Sequence, residues 1–376
     1  MDFEKYIAEL MDEVAACYPP EHIASTQARL TNFWAHRAAK DRMPYVVFDF
    51  AQRRDWPALP EAFTPVQKDL IWQLRGMIEH ADWGDDYIPV LTPGIIQAAI
   101  PAYFGALEER IEGSVRVKPI IADPSDIYKL AEIGYPSDSY GGTLLAKMRY
   151  FRETTGGRIP VAMPDVQGPF SVATHVWGMQ EYLEATLADP VEAEYFMQRT
   201  TAAVLKFLKL SREAVDGEWM PWHIFSAPWK PPGSGVSMSE DMLSVVSPDV
   251  VRKFIVPSLE AIGRKYGRVF VHTCGNLNHT VRVAAEARSL GGVNVSSSET
   301  DIRLLAETMG DRFIYLIHHA LVHDPALETF DIYGQARLFR EVFSGSGLTA
   351  AAILMPVVGT CDAVQDAEKI REMFML

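Results

Sequence analysis

Eight short apolar runs, most of them separated by helix-patterned stretches, constrain the fold of this chain more than any other feature. They are Tyr45-Val46-Val47-Phe48, Tyr87-Ile88-Pro89-Val90-Leu91, Ile159-Pro160-Val161-Ala162-Met163, Trp222-His223-Ile224-Phe225, Val269-Phe270-Val271, Val293-Asn294-Val295, Phe313-Ile314-Tyr315-Leu316-Ile317 and Ala351-Ala352-Ile353-Leu354-Met355. Runs this short, rich in β-branched and aromatic residues, read as strands buried on both faces. Alternation of strand and helix predicts an α/β fold with a parallel sheet and crossover helices. Eight repeats favour closure into a single (β/α)8 TIM barrel over an open doubly wound sheet. No Gly-rich dinucleotide or P-loop fingerprint follows any of the runs, which weighs against a Rossmann arrangement.

Residues 1–40 read as an N-terminal helical extension, two helices broken at Tyr18-Pro19-Pro20. Residues 92–136 are less regular, with helical pieces and an excursion from the main pattern. Residues 227–239 are rich in Pro, Gly and Ser and are expected to hold no regular element. A helix is expected from about Pro248 to Tyr266. With no internal repeat and no clean linker, residues 1–376 are expected to form one domain.

Charge and cysteine content narrow the function classes. A net charge of −14 argues against nucleic acid or an anionic membrane as the main partner and favours a small-molecule substrate. No apolar run of about 18 residues is present, so no membrane span is expected. The opening residues carry acids inside an amphipathic pattern, unlike a signal or transit peptide. Cys17, Cys274 and Cys361 are too few and too scattered for a disulfide framework, which points to a reducing cytoplasm.

In a parallel barrel, chemistry collects at the C-terminal ends of the strands. Those positions here hold Asp49, then Asp165 and Gln167, His223 and Ser226, His272 and Cys274, Ser296 to Glu299, His318 and His319, and finally Cys361. Each has a structural alternative. Asp49 fits a turn cap, and His318 with His319 fits one buried and one exposed histidine satisfied by backbone. His223 fits packing against Trp219, Trp222 and Trp229, or lining an aromatic pocket. Glu240 and Asp241 fit the start of a helix. His272 and Cys274 stand two residues apart at a strand end, so their side chains point the same way, and His and Cys are the usual ligands of zinc.

The sequence His272-Thr273-Cys274-Gly275-Asn276, with a further cysteine after the last strand, resembles the zinc-binding, corrinoid-dependent methyltransferases of the uroporphyrinogen decarboxylase superfamily. Other segments follow in the family's order. Asp165-Val166-Gln167-Gly168-Pro169-Phe170-Ser171 resembles its Gly-Pro-Phe segment. Glu240-Asp241-Met242, Ser247-Pro248 and Phe254-Ile255-Val256-Pro257 resemble its Asp-Asp…Ser-Pro…Phe…Pro helix, and Ile353-Leu354-Met355-Pro356 its last strand. The likeness covers roughly residues 40–375. It departs in two places. The decarboxylase branch carries Arg-Gln-Ala-Gly-Arg where this chain has Phe50-Ala51-Gln52-Arg53-Arg54-Asp55. The methyltransferase branch carries Pro-Gly-Cys-Gly where this chain has Pro356-Val357-Val358-Gly359, with Cys361 later.

The resemblance implies a TIM barrel and zinc held by His272, Cys274 and Cys361, with Glu299 as a displaceable fourth ligand. It implies methyl transfer between a corrinoid on a partner protein and a small thiol, methoxy or methylthio substrate. Asp165, His223 and Asp241 would orient substrate or move protons, and Gln167, His318 and His319 would contact cofactor. Two alternatives accompany this reading. One is a metal-free lyase on a carboxylated substrate, with Asp49 stabilising a cationic centre and Arg53 and Arg54 binding carboxylate. The other is a non-catalytic binding barrel. Methyl donor, direction of transfer and oligomeric state are left open.

Overall fold

Five of the eight apolar runs, all of them free of proline, become regular strands. The computed structural model describes residues 2–36, 42–47, 56–94, 98–111, 114–217, 219, 229–319, 332–355 and 363–375. The strands are β1 (Tyr45–Val47), β2 (Leu107–Ile111), β3 (Ser114–Lys118), β4 (Val236–Ser239), β5 (Val269–Thr273), β6 (Leu290–Ser296), β7 (Ile314–His318) and β8 (Thr349–Leu354). Six of them form one parallel sheet in the order β1-β8-β7-β6-β5-β4, and β2 with β3 forms a separate antiparallel hairpin inside the 92–136 excursion. Helices surround the sheet, among them α1 (Phe3–Cys17), α2 (Pro20–Trp34), α3 (Pro65–His80), α4 (Tyr140–Thr154) and α5 (Pro169–Trp177). Among the described residues no helix is long and apolar enough to cross a membrane.

Among the described residues the regular sheet thus has six strands, against the eight expected. The expected strands near 87 and 159 are extended segments attached by single parallel bridges. Leu91 bridges Val161, and Gln167 bridges Ser239 of β4. At the other edge the Asp86 amide donates to the Tyr45 carbonyl of β1 at 2.9 Å. Pro89, Pro160 and Pro164 lie in these segments, and each removes an amide that a ladder would need. The run at 222–226 lies outside the described residues.

β4 is a correction to the sequence reading, since it forms inside the stretch expected to hold no regular element. Val236-Ser237-Met238-Ser239 has weak strand character of its own. It is held extended by pairing with β5 and by the Gln167 bridge on its other side, so tertiary context decides. Gly235 makes the entry possible. Its φ is +107°, and a Cβ there would collide with the Arg268 carbonyl, which accepts the Val236 amide at 2.9 Å.

Both faces of the sheet are buried. One alternating set, including Val271, Val293, Val295, Tyr315 and Ile317, packs into the main core with the helices. The other set, Phe270, Ile314, Leu316, Ala351 and Ile353, joins Leu30, Phe33 and Trp34 of α2 in a second apolar cluster. The Trp34 ring meets Phe270 edge-on at 5.0 Å, and its Nε1–H donates to the Trp229 carbonyl at 2.8 Å. Lys230 is sealed here, its Nζ 3.6 Å from the centre of the Phe270 ring, and burial pushes its pKa well below the usual lysine value. The N-terminal extension therefore covers this face of the sheet near the strand starts and leaves the strand ends to polar residues.

Glu240, the residue after β4, is fully buried and ties this edge to α5. That helix begins at Gly168, which has no side chain with which to cap. The Glu240 carboxylate takes the role from a distance, accepting from the Phe170 amide at 3.1 Å, the Ser171 amide at 2.9 Å and the Ser171 hydroxyl at 2.5 Å. A Cβ at position 168 would collide with that carboxylate. Burial outweighs these hydrogen bonds and pushes the carboxyl up to about 7 from an ordinary 4.5. A raised folded-state pKa means the group contributes stability in full below the ordinary value and loses it as pH rises through about 7. Replacing Glu240 by Ala strands two helix amides, so we expect a loss of about 1–3 kcal/mol in urea unfolding and a flatter pH dependence over this window. An unchanged midpoint would show the clamp to be dispensable.

Candidate metal centre

Parallel pairing sets Ser239 of β4 opposite His272 of β5. The Glu240 amide donates to the His272 carbonyl at 2.9 Å, so Glu240 and Asp241 run alongside Thr273 and Cys274. Successive side chains diverge, so Glu240 turns into the core and Asp241 lies with His272 and Cys274. Asp241 also holds the turn in place, its Oδ1 accepting the Cys274 amide at 3.0 Å. His272 Nε2 lies 3.1 Å from Cys274 Sγ. One ligand atom each from Asp241, His272 and Cys274 falls within 4.8 Å of the others. His272 is buried, Asp241 half-buried and Cys274 open to solvent.

The electrostatics of the cluster favour a cation over a reactive thiolate. Partial burial, then the charges of Asp241, Asp165 and Glu299, push the Cys274 thiol up to about 12. A lone cysteine in that field stays protonated near neutral pH and is a poor nucleophile. The same carboxylates would stabilise a bound cation, which in turn stabilises the thiolate. A nitrogen, a sulfur and a carboxylate oxygen form a mixed donor set that suits zinc, a borderline-soft ion, better than calcium or magnesium.

The structure brings several of the sequence-derived residues to this place. Asp165, after the bridged 159–163 segment, accepts from the Ser239 hydroxyl at 3.0 Å and stays near Cys274. Gln167 is buried beside it through its bridge to Ser239. His318, ending β7, is buried with its ring stacked on that of His272 at 5.6 Å between centroids. His319 is buried too, its Nδ1 2.8 Å from the Ser297 hydroxyl. Glu299 stands exposed at the rim, within electrostatic reach of Cys274 but outside the tight cluster. Asp241, expected to handle substrate, sits where a carboxylate ligand would. Asp49, Arg53, Arg54, His223 and Cys361 lie outside the described residues. A cavity of 470 Å³ between α3 and α4, lined by Asp69, Lys147 and Tyr150 among others, contains none of these groups.

Sequence reasoning missed Asn294. It lies on β6 directly opposite His272, with its side-chain oxygen 2.5 Å from His272 Nδ1. The available signal was an amide in the middle of the otherwise apolar Val293-Asn294-Val295 strand, a position where a polar side chain needs a partner.

The raised thiol pKa fixes a sign for metal binding. A ligand sulfur must lose its proton, so below pH 12 Cys274 should contribute about a tenfold rise in zinc affinity per pH unit. Competition with a chromophoric chelator between about pH 7.5 and 9, above the ordinary histidine range, is expected to show that contribution as a slope lower by about tenfold per pH unit in Cys274→Ser. The same affinity and slope in Cys274→Ser as in the unmutated protein would exclude Cys274 as a ligand.

No protein-family pattern matches the chain, and no curated protein matches it in sequence. Its fold is similar to that of a methyltransferase from Methanosarcina mazei, with a TM-score of 0.63 and 16% sequence identity. The match covers 93% of this chain and 98% of that one, so the likeness is one of whole architecture.

Proposed function

We propose that this chain is a zinc-dependent methyltransferase of the uroporphyrinogen decarboxylase superfamily, built on a (β/α)8 barrel. The observation that carries the reading is the convergence of Asp241, His272 and Cys274 at the ends of β4 and β5. Barrel closure is supported by the bridged segments, which extend the six-stranded sheet at both edges toward each other. The likeness of fold to a protein named as a methyltransferase agrees with this assignment.

In this reading His272, Cys274 and Asp241 hold the ion, and Cys361 is assigned as a further ligand from the loop after β8. Bound zinc would supply the positive charge that lets a substrate thiol lose its proton near neutral pH. Asp241 does double duty, positioning the Cys274 turn through its backbone amide. Asp165, held by Ser239, and His223 are assigned to moving the substrate proton, and Glu299 to the rim of the entry. Gln167, His318 and His319 are assigned to orienting what binds there. The methyl donor implied by the resemblance is a corrinoid carried by a partner protein, the acceptor is a small thiol, and the setting is a reducing cytoplasm. Three carboxylates around Cys274 disfavour an anionic substrate unless a cation is present, which weighs against a metal-free lyase acting on carboxylates.

Protein purified without added metal is expected to carry about one zinc per chain by elemental analysis and to methylate a small thiol from free methylcobalamin. His272→Ala and Cys274→Ser should lose both metal and turnover. Full activity in metal-stripped protein, or none in the zinc-loaded protein across a panel of small thiols, would overturn the assignment.

A further inference from the structure

A histidine binds a cation only through a ring nitrogen that carries a lone pair, so the position of its other proton decides whether it is a ligand. For His272 that position follows from a chain of hydrogen bonds ending on a group with no choice. The Leu316 carbonyl, opposite Asn294 on β7, has no proton to give, so the Asn294 atom 2.9 Å from it is Nδ2. The other amide atom, Oδ1, then faces His272 Nδ1 at 2.5 Å. That oxygen only accepts, so Nδ1 carries the proton. Nε2 is left with its lone pair, and Nε2 is the nitrogen beside Cys274 Sγ.

The same amide reaches a second ring. Asn294 Nδ2 has two hydrogens, and the one not given to Leu316 points at His318 Nδ1, 3.4 Å away. With Nδ1 accepting, a neutral His318 carries its proton on Nε2. All three residues are buried, with exposures of 3% for His272, 2% for Asn294 and 1% for His318, so bulk water does not compete for these hydrogen bonds. Pairing of β5, β6 and β7 sets Asn294 between the two rings.

We propose that Asn294 is a positioning residue that locks two stacked histidines in opposite tautomers, His272 as Nδ1–H and His318 as Nε2–H. Neutral imidazole in water favours Nε2–H, and in that form His272 would aim a proton at the place of the cation. The lock makes the site receptive to a metal before any metal arrives. Its consequence for metal binding rests on the zinc reading above; the tautomers themselves belong to the metal-free protein.

Long-range proton–nitrogen correlation spectra of the metal-free, histidine-labelled protein, recorded at about pH 8.5 so that imidazole is neutral, read both tautomers directly. The expected result is a protonated Nδ1 and a lone-pair Nε2 for His272, with the reverse for His318. Asn294→Ala is expected to return His272 to Nε2–H and to weaken zinc binding about 10–100-fold in chelator competition. Asn294→Asp, which keeps the acceptor and loses both donors, should retain His272 as Nδ1–H while freeing His318. His272 found as Nε2–H in the unmutated protein, or both tautomers unchanged in Asn294→Ala, would overturn the proposal. Locked tautomers in a protein that takes up no zinc would instead refute the metal reading and leave the lock standing.

Discussion

Parallel pairing of β4 with β5, in the register that sets Ser239 against His272, fixes where the donor atoms of the site lie. Side chains alternate across a strand, so a slip of one residue would send Asp241 into the core and bring Glu240 to the sulfur. Two features guard the register. Gly235 lets the chain pass close against the Arg268 carbonyl, and Glu240 is clamped by the first turn of α5. Neither contributes a donor atom to the cluster, yet both determine which carboxylate faces Cys274. Packing on the sheet face that meets α2 serves the same end, because that helix covers the strand starts with Leu30, Phe33 and Trp34. Polar residues then collect at the strand ends.

The charge arrangement gives that geometry a direction. A sulfur approached by Asp241, Asp165 and Glu299 is held as a thiol, which disfavours the chemistry of a free catalytic cysteine. A divalent ion would reverse the balance, since the carboxylates that oppose a thiolate would attract the ion that stabilises it. Asn294 complements this from the other side by holding His272 through Nδ1. The cluster is thereby oriented by backbone at two points, the Leu316 carbonyl behind Asn294 and the Cys274 amide against Asp241. Sites held by such surrounding contacts keep their ligands in place without the ion.

Much of this was legible in the sequence, for reasons that particular residues make plain. β5 to β8 are apolar runs without proline, and hydrophobic pattern alone locates them. The segments around Pro89 and Pro160 keep their place in the order but lose ladder pairing, because the missing amides break it. β4 was hard to read, since the four-residue alternation Val-Ser-Met-Ser after a Pro/Gly-rich stretch is a weak strand signal and the strand depends on neighbours far along the chain. In the site, His272 and Cys274 could be read together because a two-residue spacing carries its own geometry. Asp241 lies 33 residues from Cys274, and only strand pairing reveals that they meet. Asn294 was passed over because its partners belong to the neighbouring strands, which no local pattern encodes.

The central claim is that a metal ion sits between His272, Cys274 and Asp241. The zinc K-edge X-ray absorption spectrum of the purified, full-length protein tests it most directly. The account predicts a mixed shell with at least one sulfur at about 2.3 Å and nitrogen or oxygen at about 2.0–2.1 Å, the sulfur contribution falling in Cys274→Ser. A shell of oxygen and nitrogen alone, unchanged by that substitution, would contradict it.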